Sequence, residues 1–216
     1  MRPDFMRSIF HNYERQQSVE KEMIIILNKD DMNIRRWRRK ARHYNNVRVY
    51  QVPQKYTLGK CMNFGIKKAK YDIIAKFDDD DYYAPDFLKE SINAMKRKRA
   101  KIIGKHTSYV YFEKEKALML LRGGNEKQYV GKVKGGTLVL RKSVWDQVKF
   151  SEKRVRGSDV SFMKHAKLKG YKIYSVTKHN YVCVRREDTS THTQKTNTKK
   201  YMARCKLICH TENYIP

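Results

Sequence analysis

The chain lacks an apolar run long enough to cross a bilayer. Its longest, Met23-Ile24-Ile25-Ile26-Leu27, is strand length. No leader of the secretory kind precedes it. These two absences predict a cytoplasmic protein, with peripheral contact to an anionic membrane open to it through basic residues. Cysteine is scarce: Cys61, Cys183, Cys205 and Cys209 are too scattered for a disulfide framework. They read as thiols of a reducing compartment. Cys205 and Cys209 lie beside His210, but no fourth ligand at tight spacing completes a zinc set. There is no internal repeat and no linker, so one domain over residues 1–216 is expected. Acidic residues are few: 22 Asp and Glu stand against 49 Lys and Arg, for a formal net charge of +27. A field of that sign attracts nucleic acid, an anionic membrane surface or an anionic polymer, unless it is simply a solvated basic face.

What is present is a globular composition. Hydrophobic residues make up 40% and aromatics 12%, enough for one core and against disorder along the whole chain. Helical spacing runs from Pro3 to Gln17, Asn33 to His43 and Leu58 to Lys70. Between these lie β-rich runs at Met23–Leu27, Val47–Val52 and Tyr71–Phe77, the first and last apolar enough for burial on both faces. Pro85 opens a further helix to about Arg99. The alternation predicts an α/β fold with a Rossmann-like, mostly parallel central sheet and helices on both faces. The second half has a smaller β region with strands at Ser108–Phe112, Ala117–Leu121 and Thr137–Leu140, set off by glycine turns. Helices follow near Ser143 and Ser158, then strands at Tyr171–Val176 and Tyr181–Val184. Residues of about 1–105 would hold the ligand-binding half, about 106–192 the second half, and about 193–216 a basic tail.

The chemistry concentrates in Asp78-Asp79-Asp80-Asp81. The run follows an apolar strand, and in open α/β sheets ligands bind beyond the carboxyl ends of strands. Crowded carboxylates repel unless a cation sits among them. Mg²⁺ or Mn²⁺ on one or two carboxylates plus substrate phosphates fits this pattern, with a structural Ca²⁺ loop or a plain acidic turn as the alternatives.

The order of motifs resembles a family 2 glycosyltransferase of bacterial type with the GT-A fold. Phe77-Asp78-Asp79-Asp80-Asp81-Tyr82-Tyr83-Ala84-Pro85 is similar to the Asp-X-Asp-Asp signature of that family. Gly59 to Ile66, Gly135-Gly136-Thr137, and Arg156 to Phe162 followed by Gly170 to Ile173 match further segments. The resemblance implies an inverting transfer of a single sugar from a nucleoside diphosphate sugar, a UDP-sugar foremost, to an acceptor hydroxyl. It implies that Asp78 faces the nucleotide ribose, that Asp80 binds Mn²⁺ or Mg²⁺, and that His192 completes the metal site or meets phosphate. Asp79, Asn63, Asp30 and Arg185 are implied on the nucleotide-sugar side. Asp159 is implied as the general base; without the resemblance it reads as a carboxylate favoured by a helix N-terminus.

The departures are specific. Asn28-Lys29-Asp30-Asp31 replaces the usual Asp-Asp-Gly-Ser, Met62 an arginine, and Ser158 a glutamate. The family's first strand is expected before Arg2-Pro3 and has no counterpart. The Gln-x-x-Arg-Trp signature of processive synthases is missing, which favours one sugar per event. The positive charge would suit a glycan or lipid-linked cell-envelope acceptor. Two rival readings remain. One is a transferase relative that binds nucleotide sugar without chemistry. The other is a nucleic-acid-binding module using Arg35-Arg36-Trp37-Arg38-Arg39-Lys40, set against it being the aspartate run, which would repel nucleic acid.

Overall fold

The structure is a computed structural model and describes residues 5–17, 20–188 and 197–214. In chain order, its first part comprises α1 (Met6–Glu14), β1 (Met23–Leu27), α2 (Ile34–Ala41), β2 (Val47–Gln51), α3 (Leu58–Lys68), β3 (Ile73–Ala75), β4 (Tyr82–Tyr83) and α4 (Phe87–Lys98). Then come β5 (Ile102–Gly104), β6 (Ser108–Phe112), β7 (Ala117–Leu121), β8 (Gln128–Val130), a 3₁₀ turn at Gly135–Thr137 and β9 (Val139–Arg141). The rest is α5 (Lys142–Gln147), α6 (Ser158–Leu168), β10 (Ile173–Ser175), β11 (Tyr181–Arg185), α7 (Thr198–Met202) and β12 (Cys205–His210).

Local chemistry sets several of these boundaries. Asn33 caps α2 by accepting from Arg36 N at 3.1 Å, and Thr57 caps α3 by accepting from Lys60 N at 3.3 Å. Each satisfies an orphan N–H of a first turn. Gly157, at φ 72°, turns the chain into α6, a left-handed conformation that glycine adopts without Cβ strain.

The strands form a two-stranded sheet β2-β1 and two five-stranded sheets, β3-β9-β5-β10-β8 and β12-β7-β6-β11-β4. The expected mostly parallel central sheet is not what forms. β1–β2, β5–β10 and β6–β11 run parallel, while every other pairing, including β3–β9, β9–β5, β6–β7 and β12–β7, is antiparallel. The reason is the insertion of β9 between β3 and β5. A strand–helix–strand pattern leads to parallel pairing when successive strands become neighbours, and here a strand from the second half intervenes. Among the described residues no strand pairs with the second edge of β1.

Two apolar clusters flank the site. One contains Tyr83, Phe87, Val110, Phe112 and Tyr181, lying under the aspartate run. The other joins α3, α5 and α6 through Ile66, Trp145, Phe162 and Met163, with Phe150 and Phe162 stacked at 4.3 Å. A third holds Phe10 of α1 against Leu27 and Trp37. Thus α1 is anchored on the β1–α2 layer. From there it reaches the aspartate loop with two buried amides. Asn12 donates to Asp81 O at 2.8 Å and accepts from Tyr83 N at 3.2 Å. Gln16 donates to Ala84 O at 2.8 Å and accepts from Leu88 N at 3.1 Å.

Candidate active site

β3 ends early because its apolar run meets a change of partner. Lys76 N still donates to Leu138 O at 2.9 Å, but Asp78 N donates instead to the Tyr83 hydroxyl at 2.7 Å. That hydroxyl donates onward to Gly136 O at 2.6 Å. Phe77 stacks on the Tyr83 ring at 3.8 Å, which fixes the ring beneath the loop. One buried phenol therefore ties the first aspartate to the Gly135–Thr137 turn. Burial, and then the negative charge of Asp78 and Asp81, hold the Tyr83 pKa well above its ordinary value, so the phenol keeps its proton.

The four aspartates occupy different environments. Asp78 pairs with the buried Lys76 ammonium. Burial opposes charge on Lys76, yet Asp78, Asp159 and Asp81 together raise its pKa. Asp79 and Asp80 form the turn. The Asp80 carboxylate sits 3.3 Å from Arg186 Nη1, and its carbonyl accepts from Arg186 Nη2 at 3.0 Å. Asp81 turns inward, accepting from the Tyr181 hydroxyl and from Val184 N at 3.1 Å. Its pKa is pushed up to about 7 by burial and then by Asp78, against the opposing pull of Lys134. At neutral pH the run therefore carries less than four full negative charges, which eases the crowding that the sequence poses.

Asp159 reaches this neighbourhood from half a chain away. It lies in the first turn of α6, where the helix dipole favours a carboxylate. The Gly135-Gly136 pair separates it from the aspartate run. A Cβ on Gly135 would overlap Asp159 Oδ2, and one on Gly136 would lie 2.5 Å from Asp78 Oδ2 and 3.2 Å from Asp81 Oδ2. Consecutive Cα atoms are about 3.8 Å apart, so one turn holds both carboxylates close together. Lys76 senses both charges, which places it between them electrostatically.

The other sequence-predicted residues fall elsewhere. Asp30 follows β1 and accepts from Gln54 N at 3.0 Å. Asn63 is buried and engaged in the protein itself: it donates to Phe150 O and Glu152 Oε1, both at 2.9 Å, and accepts from Trp145 Nε1 at 2.9 Å and Phe150 N at 3.0 Å. Arg185 is buried with its guanidinium 5.4 Å from the Tyr201 ring centroid. Its neighbour Arg186 is the guanidinium on the aspartate turn. His192 lies outside the described residues.

Residues 2–149 match the family profile described as glycosyl transferase family 2. The chain belongs to glycosyl transferase family 2. No curated protein matches it in sequence. Its fold is similar to that of S. aureus TarS 1–349 in complex with UDP-GlcNAc, with a TM-score of 0.67 and 17% identity over 89% of this chain and 58% of that one. It is also similar to the same protein in complex with UDP, with a TM-score of 0.65 and 16% identity over 84% of this chain and 57% of that one. The chain thus spans little more than half of those structures. At such identity the likeness speaks for the fold, which is GT-A-like.

Within this family 2 fold, the donor set suits a small hard cation in one respect. Mg²⁺ and Mn²⁺ need only one or two carboxylates when phosphates supply the remaining oxygens, and Asp78 and Asp80 present two on one loop. Among the described residues no group of three or more His, Cys, Asp or Glu converges on a single metal position. Several contributors escaped sequence reasoning. Lys76 had a signal, a lone lysine inside the otherwise apolar Ile73–Phe77 run. Asn12, Gln16 and Tyr83 had none, because their roles depend on contacts 53 to 69 positions apart in sequence.

Proposed function

We propose that this chain transfers a single sugar from a nucleoside diphosphate sugar, of the UDP class, to an acceptor hydroxyl with inversion. One observation carries the reading: the Gly135-Gly136 turn is packed against Asp159 on one side and against Asp78 and Asp81 on the other. A transferase of this kind needs a donor-binding carboxylate loop and a base close together, and here distant segments supply them to one turn.

In this reading Asp78 receives the ribose hydroxyls and Asp80 would hold Mn²⁺ or Mg²⁺. When bound, that cation neutralises charge developing on the leaving nucleoside diphosphate. Arg186, already on the Asp80 turn, supplies a guanidinium suited to phosphate oxygens. Asp159 takes the proton from the acceptor hydroxyl as that oxygen attacks the anomeric carbon. Lys76 orients Asp78 through their ion pair. Asn63 supports the site indirectly, by clamping α3 to the segment before α6. Asp79, Asp30, Arg185 and His192 stay assigned to the donor side as candidates. The TarS complexes with UDP-GlcNAc and UDP support the choice of a uridine donor.

Thermal stabilisation tests this directly, because a ligand that binds only the native state raises apparent stability by mass action. UDP-sugars with Mn²⁺ should raise Tm, while Asp80→Asn should remove the metal-dependent part. Equal shifts from UDP-, GDP-, CDP- and dTDP-sugars, or none from any in a folded sample, would remove the uridine assignment or the site itself. Asp159→Asn should retain the shift and lose turnover by about 10²–10⁴-fold.

A further inference from the structure

The sequence holds a feature that the transferase site does not use, the arginine-rich segment now seen as α2. Arg35, Arg36, Arg38, Arg39 and Arg42 are exposed, and among the described residues none of them makes an ion pair. Five uncompensated guanidiniums on two turns of helix repel one another, which is a cost unless an anion offsets it. They also line a concavity. Asn33, Arg35, Arg36, Arg38, Arg39 and Arg42 surround a cavity of about 610 Å³. Arg38 and Arg42 are shared with a second cavity of about 590 Å³, whose lining adds Arg48, Tyr44, Tyr50 and Tyr71. Its one carboxylate, Glu22, is already neutralised by the Arg48 guanidinium and by the Lys70 N–H. The three tyrosines are half-buried, held rings with part of each surface open.

We propose that these joined cavities bind single-stranded nucleic acid, with the backbone phosphates along the α2 arginines and bases against Tyr44, Tyr50 and Tyr71. Arginines that track a backbone, next to aromatic platforms on which bases stack, are the two components such binding needs. A bilayer is the poorer fit. The surface is concave, and the exposed large apolar side chains, Leu58, Tyr129, Val155, Val160, Leu168, Leu207 and Ile208, all lie on other elements.

Repulsion by the aspartates is the natural objection, and the topology answers it. Glu22, Asn46 and Tyr71, on the cavity wall, come just before β1, β2 and β3, whereas Asp30 and Asp78 come just after β1 and β3. A five-residue strand such as β1 spans roughly 16 Å, about twice the Debye length of ~8 Å at physiological salt. Arg38 and Arg42, which share the cavity with those amino-end residues, lie away from the acidic loop, whereas Arg35 and Arg36 open α2 on the carboxyl side, soon after Asp30. This inference does not rest on the transferase reading.

The test is fluorescence anisotropy of a labelled single-stranded oligonucleotide of about 12 nucleotides, titrated with the full chain between about 50 and 200 mM salt. Arg38→Gln/Arg42→Gln should weaken binding at least tenfold at the low-salt end and reduce the salt slope by about 1.4, since each single-strand phosphate contact contributes about 0.7. Tyr71→Ala should weaken it about fivefold or more through lost stacking. The control Lys164→Gln/Lys169→Gln removes the same charge from exposed positions on α6 and just after it and should change both quantities far less. The arginine and lysine positions are exposed and Tyr71 is half-buried, and an unchanged thermal melt confirms folding. Equal losses in the α2 and α6 variants would show diffuse attraction and overturn the proposal. So would absent oligonucleotide binding, or binding only to vesicles containing phosphatidylglycerol.

Discussion

At the scale of single residues, the site depends on side chains whose atoms are already committed to one another. The Tyr83 hydroxyl accepts from Asp78 N and donates to Gly136 O. Tyr83→Phe leaves both backbone groups unpaired in a buried place, so chemical denaturation should show a loss of about 1–3 kcal/mol. Gly136→Ala tests the site with a smaller perturbation. Its added Cβ would press on Asp78 and Asp81, so donor-dependent thermal stabilisation should vanish while the apo melt moves much less. Retained donor stabilisation in Gly136→Ala would show that the glycine turn is not part of the donor site. The aspartate run stood out in the sequence as crowded carboxylates, whereas Asp159 came into view only through the family resemblance, since a helix-opening aspartate needs no further explanation. What each carboxylate touches was not legible. Asp81 looked like its neighbours, yet it is the one that turns into the core beside Tyr181 and Val184.

At the scale of elements, hydrophobic periodicity located β1, β2, α3, α4, β6 and β7 well, because each buries a regular face. It overran at Tyr71–Phe77, where the ladder gives way after Ala75 to the Tyr83 hydroxyl. It missed β4, β5 and β8, short strands with no pattern of their own, and the six-residue β12, all held by partners far along the chain. The direction of strand pairing was not legible either, since sequence alternation says nothing about β9 entering between β3 and β5. The work of α1 emerged only in three dimensions. Asn12→Ala should release the hydrogen bonds to Asp81 O and Tyr83 N. Hydrogen exchange at Tyr83 should then quicken, with donor affinity falling, while amides in β6 and β7 keep their protection. Unchanged exchange at Tyr83 would mean that α1 does not hold the loop.

At the scale of the whole molecule, Glu90 is a tie between layers. From α4 it accepts from Lys105 Nζ at 2.8 Å, Thr177 N at 3.1 Å and Asn180 Nδ2 at 3.2 Å, and it also meets the Thr177 hydroxyl. Burial raises its pKa, but Lys105 and these hydrogen bonds outweigh that and hold it below the ordinary glutamate value. A carboxylate depressed in the folded state stabilises fully above its unfolded pKa, and the contribution is lost as pH falls through the folded pKa. Unfolding free energy should therefore drop as pH falls below about 4.3, and Glu90→Gln should flatten that slope while lowering stability at neutral pH. A slope unchanged by Glu90→Gln would assign the acid sensitivity to other groups.

The same whole-molecule view separates an acidic loop beyond β3 from a hollow lined by Arg38 and Arg42 that reaches the strands' other ends. The central claim concerns the first, and a crystal structure with UDP and Mn²⁺ tests it most directly. The account predicts the ribose against Asp78, the ion held by Asp80 beside the diphosphate, and the Asp159 carboxylate facing the open side of the β-phosphate where a sugar would sit. Nucleotide bound away from the Gly135-Gly136 turn, or at the turn with Asp159 directed elsewhere, would contradict it.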